Sequence, residues 1–233
     1  MGSYMEHIVR PEGLPEPDFK EICRYLGYRG FTPESIDDRV TKEIELCVKE
    51  LQKASEPRGI YKIYELSQSE DIEKSADIDC SANNEKIVKY NIIGNGILTI
   101  PSEKLYINLE GCTKVALLAA TIGIGADRLI RRAEVTDMLK ASIYQAAGAA
   151  LIEAYVNMIN DEITREAAKM DMETRPRFSP GFGDVPISYQ ADFERLLEMH
   201  KKTGITLTDS FIMMPTKSVT AFVGMKNVSS MEI

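Results

Sequence analysis

The stretch from Lys114 to about Lys169 constrains the fold most. Lys114–Ile122 is an almost unbroken apolar run closed by Gly123-Ile124-Gly125, and from Asp127 onward apolar residues recur at helical spacing. The run falls short of the roughly 20 residues a membrane span needs, so it reads as a buried strand. The residues from Asp127 to about Lys169 read as a short helix and then a long one. The long helix contains Ala146-Ala147-Gly148-Ala149-Ala150, small residues that let another backbone or a ligand come close.

The flanking segments supply the rest of an α+β architecture. Pro17–Tyr28 has the helical apolar spacing of Phe19, Ile22, Cys23, Tyr25 and Leu26 and ends in Gly27 and Gly30. Thr32-Pro33-Glu34 is a helix-start signal before the stripe Ile36, Val40, Ile44, Cys47, Val48 and Leu51. Ile60–Tyr64 and Ile87–Ile92 are rich in β-branched and aromatic residues and read as strands, with the polar Ser67–Glu85 between them as a loop or a poorly packed excursion. A short helix is expected around Ser102–Leu109 and another over Tyr189–Lys202. Leu207–Met214 and Val219–Met225 read as final strands hinged at Pro215, with Phe211, Met213 and Met214 as strand core. Three prolines within Met170–Pro186 forbid regular structure throughout. With 233 residues, roughly one and a half average domains, the expectation is a single module over 1–233. It has a central twisted antiparallel or mixed sheet flanked by helices, with a helical N-terminal part at about 15–57.

Charge and rare residues narrow the function. Lys+Arg 28 against Asp+Glu 36 gives −8, which disfavours a general nucleic-acid binder. Only His7 and His200 are available, without metal-ligand spacing, and Cys23, Cys47, Cys80 and Cys112 are too far apart for zinc or redox pairs. No metal is expected. No signal-peptide or membrane segment is apparent, and a reducing cytoplasm is the expected compartment. Gly123-x-Gly125 begins a dinucleotide fingerprint, but Arg128 stands at the third glycine position, so a tight strand-to-helix turn is the simpler reading. Arg128, Arg131 and Arg132 form either a small basic docking patch or a solvated helix face. His200 reads as a helix-surface residue. No nucleophile–base pair, carboxylate dyad or phosphate loop is present.

Arg175-Pro176-Arg177-Phe178-Ser179-Pro180-Gly181-Phe182-Gly183-Asp184 is the most informative segment. Prolines lower the entropy cost of holding its arginines, and glycines admit a close ligand. Arginine offers a planar fork to a carboxylate or phosphate. The segment is either a ligand loop or a loop that wraps the core. Glu153 projects from the small-residue face of the long helix, where it meets either a cation or water.

Arg177 to Phe182 resembles the R-x-x-x-G-Y signature of the activation domain of cobalamin-dependent methionine synthase. Thr203-Gly204-Ile205-Thr206-Leu207-Thr208-Asp209-Ser210-Phe211, then Met214-Pro215 and Ser218-Val219, are similar to that family's T-G-x-x-L-T-E-S-F, x-P and S-V-S elements, in the same order. Ala150–Tyr155 is similar to a helix that carries an acidic ligand contact. These elements run from Ala150 to about Gly224, roughly a third of the chain.

The resemblance implies an S-adenosylmethionine-binding module, with the site part at about 100–228. Arg177 would take the ligand's carboxylate, and backbone near Ser179 and Gly181 would contact its amino-acid or adenosine part. Glu153 would help fix it, Val223 and Gly224 would border the adenosine, and Phe182 stands where the family has tyrosine. An acidic contact from the N-terminal part has only Asp18, Asp37 and Asp38 as candidates. No D-x-H-x-x-G cobalamin motif is present, so cobalamin would come through a partner, and the chain would be an accessory subunit, not a complete enzyme. The implied partners are a separately encoded cobalamin-binding methionine synthase core and a flavodoxin- or ferredoxin-like electron donor. Two alternatives stay open: a docking module that has lost the ligand, and a reactivator of another corrinoid methyltransferase.

Overall fold

The computed structural model describes residues 6–11, 13–28, 36–74 and 85–228. In chain order the elements are β1 (Glu6–Val9), α1 (Phe19–Tyr25), α2 (Asp38–Ala54), β2 (Arg58–Lys74), β3 (Glu85–Ile93), β4 (Leu98–Pro101), α3 (Glu103–Asn108) and β5 (Lys114–Thr121). Next come α4 (Ile124–Thr136), α5 (Met138–Ala168), β6 (Met172–Thr174), α6 (Gln190–Leu197), α7 (Met199–Thr203), β7 (Thr206–Leu207), β8 (Met213–Met214) and β9 (Ser218–Asn227).

β5 is apolar throughout because both its faces are covered. Ala116, Leu118 and Ala120 pack under α1, α2, α4 and α5, while Val115, Leu117 and Ala119 face the cluster that holds Leu105, Phe193 and Phe222. Each fully buried leucine or isoleucine there contributes about 1.5–3 kcal/mol. The sheet runs β4-β3-β2-β5-β9-β6, with β1 also on β2, and every pair is antiparallel. The expected α+β architecture is present, and its helix-flanked sheet is antiparallel.

Local chemistry sets the element ends. Asp137 ends α4 and caps α5 by accepting from Leu139 N and Lys140 N at 3.1 Å, which divides the expected helical stretch in two. Gly123 turns the chain at φ 85° from β5 into α4, and Gly125 lies so close to Ala54 that a Cβ there would stand 1.8 Å from its carbonyl oxygen. The Gly-x-Gly is therefore a packing turn. The Thr32-Pro33-Glu34 start signal, Gly30 and Cys80 lie outside the described residues; α2 is capped by Asp37 instead.

Four expectations are corrected. Ser67–Lys74 is strand, not loop: it pairs with Glu85–Ile93 from Leu66↔Ile93 to Lys74↔Glu85. Ser67, Ser69, Glu70 and Asp71 on it are exposed to water, which accounts for their polarity. Leu207–Met214 is not one strand, because Thr208 closes a turn by bonding Phe211 N, Ile212 N and Ile212 O, leaving two-residue strands on either side. Phe211 therefore sits at φ 61° in that turn and is half-buried along with Met213 and Met214, not strand core. Tyr189–Lys202 is broken at Glu198 (φ 52°), where the Glu194 carboxylate accepts from His200 N at 3.2 Å.

Candidate functional site

After β6 the chain continues along β9 in a broken ladder. Arg175 N donates to Gly224 O at 2.8 Å, and Phe178 and Phe222 exchange both backbone hydrogen bonds. Between these two attachments Pro176 and Arg177 leave the sheet plane. Phe178 buries its ring on the α6 side, whereas Arg177 reaches the long helix. Its Nη1 donates to Asn157 Oδ1 at 2.8 Å and its Nη2 to Glu153 Oε2 at 3.2 Å. Glu153 and Asn157 are one helical turn apart on α5, so they present two acceptors on one face. Glu153 remains half open to water.

The segment beyond Arg177 is a tight turn. Phe182 N donates to Ser179 O, Gly181 N to Val185 O and Val185 N to Phe182 O. Gly181 (φ 88°) and Gly183 (φ 65°) supply the left-handed conformations it requires. Phe182 is 68 % exposed and meets Phe178 edge-on at 5.5 Å. The turn is pinned by Asp184, whose carboxylate accepts from Ser102 Oγ, from Glu103 N at 2.8 Å and from Lys104 N at 3.3 Å at the start of α3. Burial works against the charged form, but these hydrogen bonds prevail and hold the Asp184 carboxyl below the usual range.

Arg177 and Glu153 are thus brought together, with Ser179, Gly181 and Phe182 in the adjoining turn. Val223 and Gly224 are on β9 beside it, but the Val223 side chain is buried in the core under α5 and Gly224 backs onto Leu109 and Cys112. Both therefore reach the site only through backbone. Asp18 and Asp37 are helix caps and Asp38 opens α2; none bonds to Arg177. Arg128, Arg131 and Arg132 are exposed on α4, with no ion pair among the described residues. His200 is exposed on α7. Among the described residues no cluster of His, Cys, Asp and Glu could hold a metal ion, and no helix is long and apolar enough to cross a membrane.

Asn157 and Asp184 carry no motif of their own. Asn157 is signalled only by its i+4 spacing from Glu153, and Asp184 only by a cap that closes across 82 residues. Within the small-residue run of α5, Ala146, Ala147 and Ala150 pack in the core, while Lys217 lies against Gly148 and its Nζ donates to Gln145 O at 3.2 Å and Gln145 Oε1 at 2.9 Å. Burial lowers the Lys217 ammonium pKa against the opposing pull of Asp127. Asp127 is itself buried and accepts from Thr216 N and Oγ1, which fixes the approach to β9.

Residues 102–231 match the family described as the activation domain of vitamin B12-dependent methionine synthase. The fold is similar to a crystal structure of the MetH reactivation domain bound to AdoHcy, with a TM-score of 0.65 and 17% identity, over 97% of this chain and 80% of that one. At that identity the structural likeness speaks for the fold. Among curated proteins none matches the chain.

Proposed function

The chain belongs to the family of vitamin B12-dependent methionine synthase activation domains, and from that premise we propose that it binds S-adenosylmethionine beside Arg177. Bound there, the ligand would serve the reductive reactivation of a separately encoded cobalamin-dependent methionine synthase. The observation that carries this reading is the Arg177 guanidinium held by Glu153 and Asn157 next to the Ser179–Val185 turn. S-adenosylmethionine carries one carboxylate and two cationic centres, an ammonium and a sulfonium. Arg177 answers the first as a charge-assisted, planar donor, and Glu153 the second. Backbone groups of Ser179 and Gly181, the Phe182 ring, and the backbone of Val223 and Gly224 border the adenosine. AdoHcy, bound by the similar MetH domain, is the demethylated form of the same ligand.

Cobalamin belongs to the partner in this reading. An electron from a flavodoxin- or ferredoxin-like donor and a methyl group from S-adenosylmethionine return the partner's cobalamin to its methylated form in the cytoplasm. Arg128, Arg131 and Arg132 form the docking patch for an acidic donor. Calorimetry with S-adenosylmethionine on the wild type and Arg177→Ala tests the binding step. Heat that disappears in the variant is expected, and no heat with the wild type overturns the reading. Restored turnover of an oxidised methionine synthase core on adding the protein tests the second step.

A docking module without ligand is the second reading, favoured by one observation: Phe182 has no hydroxyl to offer a ligand. Binding in the calorimeter together with restored turnover overturns it.

A further inference from the structure

A cleft of about 610 Å³ opens between α2, α4 and α5, lined on α5 by Lys140 and Tyr144, whereas Glu153 and Asn157, which hold Arg177, lie further along that helix. Ala54, Leu129 and Ala133 give it apolar walls, and the buried Tyr144 ring closes one side. Its charges are unequal. Among the described residues the one lining carboxylate, Glu50, accepts the Tyr144 hydroxyl, and burial raises the Tyr144 pKa, so that the phenol stays a donor. Lys140 is paired with Glu43 at 3.2 Å. Lys53 and Arg132 line the cleft from α2 and α4, exposed, and neither makes an ion pair among the described residues. Two exposed cations without ion pairs thus flank an apolar concavity on a chain of net charge −8.

We propose that this cleft binds a small organic anion, an apolar body carrying a doubly charged acid group such as a phosphomonoester, held between Lys53 and Arg132. The concavity has the size of small-molecule sites, about 300–1,000 Å³, and exceeds what an inorganic ion fills. Arg132 supplies a fork for acid oxygens and Lys53 a mobile point charge. Leu129 and Ala133 exclude water from the body of the ligand.

The test is a ¹H–¹⁵N NMR titration of the full chain with phenyl phosphate. Saturable shifts are expected at the amides of Ala54, Leu129, Ala133 and Lys140, weakened about tenfold or more by Lys53→Glu or Arg132→Glu. The same shifts should persist in Arg177→Ala and Arg128→Glu, which separates this site from the S-adenosylmethionine reading. Shifts confined to Ser179–Phe182, undiminished affinity in both charge-reversed variants, or no saturation would each overturn the proposal. Equal competition by inorganic phosphate would remove the need for an apolar body and overturn the ligand class.

Discussion

Lys217 lies across Gly148, its Cε 3.0 Å from where a Cβ on that glycine would stand. The contact joins the start of β9 to the middle of α5, and only a glycine gives the lysine stem that depth. The atom in the way is near the end of a flexible chain, however, and alanine improves helix propensity by about 1 kcal/mol. Gly148→Ala should therefore change stability by less than about 1 kcal/mol. Gly125→Ala meets the Ala54 carbonyl, which is backbone and cannot step aside. It should cost about 3 kcal/mol or more. Urea unfolding of the two variants compares them directly, and equal losses would contradict the packing described.

Asp184 ties the Ser179–Val185 turn to the start of α3. Removing the cap in Asp184→Ala should cost about 1 kcal/mol, discounted from buried-pair values because the carboxylate is partly solvated. Its folded pKa lies below the unfolded value, so its contribution is present above the unfolded pKa of about 3.9 and is lost as pH falls through the folded one. Acid unfolding of wild type and variant should converge at low pH. Curves that stay parallel down to the acid limit would assign the loss elsewhere.

Asp127 raises the Lys217 pKa while burial lowers it. Asp127→Asn should therefore move the Lys217 titration further down, as read by NMR of its side chain. Between the folded Lys217 pKa and about 10.4 the unfolded chain holds more protons, so stability should rise with pH in that window. An unchanged or upward Lys217 titration in the variant would refute the electrostatic link.

Phe182 is mostly solvent-facing, so Phe182→Tyr should leave stability within about 0.5 kcal/mol. If S-adenosylmethionine binds beside it, the restored hydroxyl should tighten binding by up to about tenfold, the scale of one hydrogen bond. Calorimetry reads the difference, and weaker binding would place the ring away from the ligand.

Reversing Arg128 and Arg131 to Glu should slow reduction of the cobalamin of a methionine synthase core by an acidic donor at low salt when this protein is added, and the deficit should shrink as ionic strength rises. S-adenosylmethionine affinity should not change. Equal reduction rates at low salt would remove the patch from electron delivery.

The most legible parts of the fold are those whose pattern is local. β5 announces itself because burial on both faces leaves no polar residue between Val115 and Ala120. The α2 stripe is legible because Ile44, Cys47, Val48 and Leu51 face one core. The ribbon that begins at Ser67 is not, since the largely exposed Ser67–Asp71 carries no apolar alternation and only pairing with β3 defines it. At the site, Arg177 and Glu153 are readable from motif and helix face. Asn157, Asp184 and Lys217 act through contacts between distant parts of the chain, for which residue type gives no cue. The same distance explains why the lysine stem that lies against Gly148, within a run expected to let a backbone or a ligand come close, is not readable from the run itself.

Among the described residues β9 comes last in sequence, yet it lies between β5 and β6. A ribosome must therefore release Ser218–Asn227 before the edge of β5 is covered and before Phe178 has a partner strand to bond. Until then the nascent chain holds α5 and the Arg177 segment without the ladder that aligns them, and an apolar strand edge stands open to mispairing. The alignment of Arg177 on Glu153 and Asn157 should thus arrive only once β9 has paired, and a chain cut before Ser218 should leave that segment unaligned.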